Sequence, residues 1–262
     1  MLTFSLTFFS CEKDKQMIAE NTDIPLISKV LIGGESFLEY TYSDANLIFE
    51  EKNKFTYTKH SYNDKNLLTT SEFYLDPAMH SSSSIVIESA ANRKEWVNSE
   101  NTSKSLTKTY EYNDKEQLIR VTYIRPSVSN SEYSEFTYEN DRIIRQTMYW
   151  QNEISNYFDY FYDGKGNLIK QTKYRVPATG TAELLTTTEY EFDNMQNPYQ
   201  SFKRLITPSK YTNQNNITKE TYTIHFEVDA SIQKVGVTNN TYEYNDKGYP
   251  VKVNGEAEYL YK

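Results

Sequence analysis

Three histidines are the residues in this sequence best suited to hold a metal or to transfer protons, but their spacing supports neither role. They are His60, His80 and His225, and each lies in a different part of the chain. No HExxH motif and no pair of cysteines accompanies them, although zinc sites need such spacings. No serine lies in a GxSxG motif, and no glycine-rich loop precedes a helix to hold phosphate. The sequence therefore predicts no catalytic residue, no metal site and no cofactor.

Acidic side chains recur at predicted turns and suggest two other kinds of chemistry. The segment DGKGN places Asp163 and Asn167 four residues apart around two glycines, but no bidentate acid follows at the distance that a calcium loop needs. Turn chemistry explains both residues. Glu189 or Glu191 could pair with Glu243 across strands, at the roughly 5 to 9.5 Å that glycoside hydrolysis requires. Solvated acids on a strand face are the default interpretation, and a glycan-active hydrolase is the alternative.

Aromatic side chains are the third candidate, because they can stack on sugar rings or apolar ligands. The chain has 24 tyrosines, 13 phenylalanines and two tryptophans, Trp96 and Trp150. Core packing accounts for most of them, but tyrosine and tryptophan are also enriched at binding hot spots. Trp150 lies in the segment MYWQNEISNYF, next to a predicted turn. It is our candidate for a ligand-facing aromatic residue.

The elements that position these residues are predicted to be strands. The abundance of tyrosine and phenylalanine, with only 8 glycines and 7 prolines, favours ordered pleated surfaces. At 262 residues the chain is long enough to bury a substantial core. Its net charge of −8 and isoelectric point near 5.1 argue against nucleic acid as a partner, because binding the phosphate backbone needs a basic face.

A repeated hairpin motif organises the strands. The heptapeptide TYEYNDK occurs twice, at 109–115 and at 241–247. Each copy reads as an aromatic, any residue, a second aromatic and a polar turn, with an aliphatic residue soon after. Related copies begin at Tyr40, His60, Phe136, Tyr160 and Tyr190. Because the Asn-Asp, Asp-Gly and Gly-Asn pairs tolerate the positive φ of tight turns, each copy predicts the end of one strand, a turn and the start of its antiparallel neighbour.

The motif also predicts which face of the sheet is buried, since residues i and i+2 of a strand share a face. We expect an all-β fold, an antiparallel meander of roughly 14 to 16 strands that forms a strongly curled sheet or a barrel. A strand from Ile85 and the C-terminal AEYLYK belong to it, and residues 197–217 are its one long insertion, a feature that is often functional. The residues expected to point inward are Tyr110, Tyr112, Phe136, Tyr138, Tyr160, Tyr162, Tyr190, Phe192, Tyr242 and Tyr244, and those expected to face solvent are Glu111, Thr137, Glu191 and Glu243.

The N-terminus carries a single cysteine, Cys11, after the short apolar run MLTFSLTFFS. One cysteine cannot form an internal disulfide, and the run is shorter than the roughly 20 apolar residues that cross a bilayer. This context is typical of a processed signal, with a buried structural cysteine as the alternative. FFSC followed by EKDK resembles the lipobox region of Bacteroidetes lipoproteins. That resemblance implies that residues 1–11 are a signal segment ending at the lipidated Cys11.

A second resemblance covers most of residues 35–262. The segment YDGKGNLI is similar to a YD, or Rhs-type, repeat, and the whole layout resembles uncharacterised Bacteroidetes lipoproteins described as having a porin-like fold. The resemblance implies a secreted all-β protein anchored to the membrane by lipid, and it leaves the activity open. We therefore expect a tether and entry segment at 12–34 and a single repeat-built domain at 35–262.

These observations lead to three hypotheses about function. The first is a non-enzymatic, lipid-anchored protein of the cell envelope, attached to the outer membrane and periplasmic or surface-exposed, that binds a ligand or partner such as a glycan or an envelope protein. The second is a glycan-active hydrolase whose carboxylates converge only in three dimensions. The third is a purely structural component of a surface complex, for which we expect no pocket.

Overall fold

The strands of this protein form one antiparallel sheet. The computed structural model describes residues 24–76, 102–205, 207–227 and 233–262. Within these ranges lie 17 strands, slightly more than the sequence predicts: β1 (Ile27–Ile32), β2 (Glu35–Tyr42), β3 (Ile48–Lys52), β4 (Thr56–Tyr62), β5 (Leu68–Leu75), β6 (Ser103–Tyr112), β7 (Leu118–Ile124), β8 (Glu132–Glu139), β9 (Arg142–Trp150), β10 (Glu153–Tyr162), β11 (Leu168–Arg175), β12 (Glu183–Phe192), β13 (Ile217–Ile224), β14 (Val235–Asn239), β15 (Tyr242–Tyr244), β16 (Pro250–Val253) and β17 (Ala257–Tyr261). The predicted all-β meander is confirmed. The strand predicted from Ile85 lies outside the described residues.

The sheet is strongly curled. The strands at its two edges, β14 and β15, are consecutive in the sequence. Each strand pairs with the next from β1 to β14, and β15, β16 and β17 continue the order back to β1. The sheet is not closed by ladders all the way round. However, β14 pairs with β13 and β15 pairs with β16, and only Asn240 and Thr241 separate β14 from β15. This continuous segment therefore bridges the two edges.

The sheet begins before residue 35, where the sequence placed the start of the repeat-built domain. Strand β1, Ile27–Ile32, lies in the segment predicted as a tether and entry, and it pairs with both β2 and β17. Its sequence ISKVLI has no hairpin motif, which is why the repeat did not identify it. Ile27 and Val30 are buried, so β1 is part of the core.

The hairpin turns follow one hydrogen-bonding scheme. In the NDK and DGK turns, the side-chain oxygen of the first residue accepts hydrogen bonds from the backbone N–H groups two and four residues later. This first residue is Asn63, Asn113, Asp163 or Asn245, and the distances are 2.8 to 3.0 Å. The positive φ lies at the fourth residue of these turns, for example 62° at Glu116, and not at the Asn-Asp pair. In the turn between β8 and β9, Asn140 and Asp141 do adopt positive φ, as the sequence predicts.

In four motif hairpins the second aromatic links the hairpin to a preceding strand. The register shifts directly before this residue in all seven motif hairpins. In the four linked hairpins the tyrosine hydroxyl donates to a backbone carbonyl near the start of that earlier strand, whereas the hydroxyl of Tyr244 donates to the carboxylate of Asp193. These tyrosine ties run from Tyr42 to Ile27 (2.7 Å), Tyr62 to Ile48 (2.8 Å), Tyr112 to Leu68 (2.9 Å) and Tyr162 to Ile143 (2.8 Å). A buried phenol thus finds the partner that it needs.

The predicted assignment of the two faces is confirmed. Phe136 and Tyr160 are buried, with 9% and 5% of their surface exposed, and the other inward-predicted motif aromatics are half-buried. Glu111, Thr137, Glu191 and Glu243 are all exposed. The aromatic side chains therefore line the inside of the curled sheet.

The long insertion fills part of this interior. It contains two short 3-10 helices, Pro198–Leu205 and Lys210–Thr212. The buried ring of Phe202 packs 5.0 Å from the ring of Tyr40 in β2 and in one cluster with Ile27 and Ile48. Buried asparagines hold the insertion in place; the side chain of Asn167 accepts from the backbone N–H groups of Gln214 and Asn215, and Asn213 accepts from Leu168 N–H at 2.7 Å. The insertion is thus a structural plug.

Candidate functional site

The interior of the curled sheet contains a cavity of about 530 Å³. It lies where the motif turns gather, between the inner face of the sheet and the second 3-10 helix; we call it the turn-end cavity. Its principal lining residues are Leu68, Tyr110, Tyr112, Leu118, Tyr138, Arg142, Ile143, Tyr162, Thr212 and Gln214. This volume lies in the range of sites that bind small molecules.

Among the four motif tyrosines that line the turn-end cavity, the second aromatics Tyr112, Tyr138 and Tyr162 form what we call its aromatic wall. The hydroxyls of Tyr112 and Tyr162 already donate to backbone carbonyls, so these side chains offer ring faces to a ligand. Burial raises the pKa of Tyr138 to about 12, and it also raises the pKa of Tyr112 and Tyr162 well above the ordinary value. All three phenols therefore stay neutral at physiological pH.

Charged groups surround this wall, and most of them have partners. Glu116 forms an ion pair with Lys65 at 2.9 Å, and Asp141 accepts a hydrogen bond from Gln117 at 2.9 Å. The guanidinium of Arg142 lies 5.6 Å from the ring centroid of Tyr162 and donates to the backbone carbonyl of Asp163. Among the described residues, no carboxylate forms an ion pair with Arg142. Arg142 is thus the cation best placed to receive an acidic group beside the aromatic wall.

A second cavity, of about 440 Å³, lies on another side of the insertion. Pro208 lines both cavities, so the plug separates them. The second cavity is bordered by Gln171, Asn216 and Glu220 together with tyrosine rings. The sequence predicts an inner face rich in tyrosine, and the polar side chains and tyrosines that line this cavity match that prediction. The presence of these cavities does not match a purely structural component without a pocket.

Trp150 lies far from the turn-end cavity. Strand β9 starts at Arg142, beside the cavity, and ends at Trp150, so the two residues lie at opposite ends of the strand. Trp150 is 41% exposed and precedes the turn at Gln151 and Asn152. An exposed Ile154 follows in β10. Cys11 and Trp96 lie outside the described residues.

The structure gives the candidate carboxylates other partners. Glu189 lies 3.9 Å from Lys170 and Glu191 lies 2.8 Å from Lys219, in both cases as cross-strand ion pairs. Glu243 is exposed on the outer face of β15. These three residues thus line none of the interior cavities described above. No observation on them favours glycoside hydrolysis.

The predicted turn chemistry also explains the candidate metal ligands. Asp163 accepts hydrogen bonds from two backbone N–H groups and from the side chain of Asn167. In the part of the chain that the structure describes, no three histidine, cysteine, aspartate or glutamate side chains form a group that could hold a metal ion. His60 lies in β4 and His225 directly follows β13, whereas His80 lies outside the described residues.

The sequence did not identify the residues of the turn-end cavity as a binding site. The inward face of Tyr112, Tyr138 and Tyr162 was predicted from the motif, and their position directly before the turns places them at one end of the sheet. The enclosing wall, however, comes from Thr212 and Gln214 of the insertion. No pattern in the sequence indicates where that insertion lies.

Comparisons with known proteins identify no family. No protein-family model matches the chain, and no curated protein matches it. Among solved structures, the chain is similar to a porin-like protein from Bacteroides uniformis, with 14% identity and a TM-score of 0.42 over 90% of this chain and 98% of that one. A porin-like protein from Bacteroides vulgatus has 13% identity and a TM-score of 0.40 over 91% of this chain and 99% of that one.

A further similar structure is TcdB2-TccC3, with 14% identity and a TM-score of 0.32. The match covers 85% of this chain but spans only 10% of the matched chain. With identities and scores this low, these likenesses carry no inference about function. Within the described residues, the protein has no helix with the length and hydrophobicity needed to cross a membrane.

Proposed function

We propose that this protein is a non-enzymatic, lipid-anchored component of the bacterial cell envelope that binds an acidic glycan in the turn-end cavity. The cavity carries the proposal, because a volume of about 530 Å³ combines tyrosine ring faces with an arginine. Sugar rings stack on aromatic faces, and a guanidinium binds a carboxylate through two parallel hydrogen bonds. The signal-like N-terminus and Cys11 support the envelope location.

A binding screen with and without a blocked cavity tests the ligand. The full chain with Cys11→Ser is presented to an array of neutral and uronic-acid glycans. We expect binding to acidic members, and we expect Gln214→Trp to abolish it because the indole fills the cavity beside Gly166 and Arg142. Thr137→Trp is the matched control, since Thr137 is exposed on the other face of β8.

The Arg142→Gln variant tests whether the positive charge of the guanidinium, and not only the shape of the cavity, selects the ligand. We expect this variant to lose the preference for acidic over neutral glycans while the tyrosine wall remains. If no glycan binds the parent chain, or if Gln214→Trp binds as well as Thr137→Trp does, the turn-end cavity is not the glycan site.

Metabolic labelling tests the anchor. A cell that expresses the protein and receives a fatty-acid analogue should incorporate it at Cys11, after cleavage behind Ser10. Equal labelling of the Cys11→Ser variant would exclude lipidation at this residue.

A further inference from the structure

Lys108 is a cation on the inner face of the sheet. It lies in β6, in register with Ser71 of β5 and Tyr123 of β7. Its Nζ atom lies 4.8 Å from the ring centroid of Phe73 and 5.5 Å from that of Tyr123. No ion pair to Lys108 exists among the residues that the structure describes. Burial lowers its pKa, the charge of Arg125 adds to this effect, and Glu132 opposes it.

His60 lies on the same inner face as Lys108, and one of its ring nitrogens has no hydrogen-bond partner among the described residues. Its side chain is only 5% exposed, and Nδ1 lies 2.9 Å from Ser71 Oγ. Its Nε2 atom is buried and has no hydrogen-bond partner in the described part of the chain. Buried polar atoms without a partner are uncommon, because each loses its hydration without compensation.

The tautomer of His60 is coupled to the hydroxyl groups of Ser71 and Tyr110. Tyr110 and Ser71 lie 3.1 Å apart, and either can be the donor in that hydrogen bond. If Tyr110 donates to Ser71, the Ser71 hydroxyl is free to donate to His60 Nδ1. The imidazole proton then lies on Nε2, which makes this buried atom a hydrogen-bond donor.

Both residues line a cavity of about 190 Å³, which we call the Lys108 cavity. This volume corresponds to the share of about six water molecules in the liquid. Phe73 and Phe202 provide apolar walls. Glu51 is a carboxylate in the same lining, and the nearby charges of Arg125 and Glu132 form an ion pair with each other.

We propose that the Lys108 cavity binds a small monocarboxylate. Its carboxylate accepts hydrogen bonds from Lys108 Nζ and His60 Nε2, and its short apolar body packs against Phe73 and Phe202. Glu51 disfavours a second negative charge, so dicarboxylates and phosphate should bind more weakly than monocarboxylates. This site is separate from the turn-end cavity, although Tyr110 lines both. The inference does not depend on the proposed glycan site.

Calorimetric titration of the full chain with propionate, benzoate, succinate and inorganic phosphate at pH 7 tests this site. We expect binding of propionate or benzoate, and a loss of about tenfold or more in the association constant for Lys108→Met. Lys104→Met is the matched control, because Lys104 lies on the same strand and forms an exposed ion pair with Glu72. It should bind as the parent does.

A second measurement needs no variant. Binding should shift the imidazole resonances of His60 in the parent protein, because the ligand contacts Nε2. The proposal is overturned if neither monocarboxylate binds, if Lys108→Met binds them like the parent, or if succinate or phosphate binds more tightly than the monocarboxylates.

Discussion

His60 makes the stability of this protein depend on pH. Burial, and to a smaller extent the charge of Lys108, lowers its pKa from 6.5 to about 4. Well above pH 6.5 the imidazole is neutral in both the folded and the unfolded states. As the pH falls from 6.5 to 4, the unfolded chain binds the proton first, and the free energy of unfolding decreases by about 3 kcal/mol.

Chemical denaturation at a series of pH values measures this dependence. His60→Gln should flatten the decrease between pH 6.5 and 4.5, because it removes the imidazole that binds the proton in the unfolded chain. Carboxylates with a lowered pKa, such as Glu72 beside Lys104, also destabilise the protein as the pH falls. Their effect on the free energy of unfolding develops mainly below pH 4.5, the ordinary pKa of glutamate. An equal slope in the His60→Gln variant would contradict this assignment.

Glu116 stores backbone strain in the turn between β6 and β7. Its φ of 62° is a left-handed conformation, which costs a residue with a Cβ about 1 kcal/mol relative to glycine. Glu116→Gly should therefore raise the free energy of unfolding by about 1 kcal/mol, even though it removes the exposed ion pair with Lys65. Gly166 has the same place in the turn between β10 and β11, with φ of 95°, so Gly166→Ala should lower stability. Urea denaturation of both variants measures the two opposite shifts, and shifts of the same sign would contradict the explanation.

At the scale of the elements, the tyrosine ties are expected to stabilise consecutive hairpins. Tyr112→Phe or Tyr162→Phe leaves a carbonyl oxygen without its donor, and each should cost about 1 to 3 kcal/mol. Tyr222→Phe is the control, because this side chain is 40% exposed and has no tie, and it should change stability by less than about 0.5 kcal/mol. Thermal denaturation measures all three variants. If the tie variants are as stable as Tyr222→Phe, the hydroxyls do not link the hairpins.

The elements also show how far the sequence determines this fold. The alternation around Tyr112 and Glu111, and the polar turn after it, depend on local geometry, so strands, turns and faces could be predicted from the motif. Strand β1 was missed because it carries no motif and gains its place only by pairing with β2 and β17. The position of the positive φ at Glu116 was missed because five residues, 113–117, separate the paired Tyr112 and Leu118, a longer turn than the Asn-Asp pair alone suggests.

The candidate sites were less predictable than the strands. Each cavity forms where the insertion meets the inner face, and such contacts join residues far apart in the chain, as Phe202 and Tyr40 do. No local pattern specifies them. His60 replaces the first aromatic of its motif, and Lys108 lies just before the motif that starts at Thr109. The two residues line one cavity only because the sheet is curled.

At the scale of the whole molecule, the plug is expected to hold the curled sheet together. Phe202 is 2% exposed and belongs to a buried cluster with residues from β1, β2 and β3. Phe202→Ala should therefore lower the free energy of unfolding by about 3 to 5 kcal/mol, the usual cost of such a cavity. Phe161→Ala is the matched control, since Phe161 is 47% exposed on the outer face. Denaturation curves for the two variants should differ by most of that amount, and equal curves would show that the insertion is not part of the core.

One face of the single curled sheet lies inside the molecule, and the other face is exposed to solvent. Thiol labelling of cysteines introduced in a Cys11→Ser background tests it most directly, because Cys11 is the only native cysteine. Ser61 is exposed in β4, and Ser134 is 0% exposed on the inner face of β8. Ser61→Cys should react at the rate of an unfolded chain. The labelling rate of Ser134→Cys should be lower by a factor of about a thousand or more, because the sheet must open before the thiol can react. Equal labelling rates in the folded protein would show that both faces of the sheet are open to solvent.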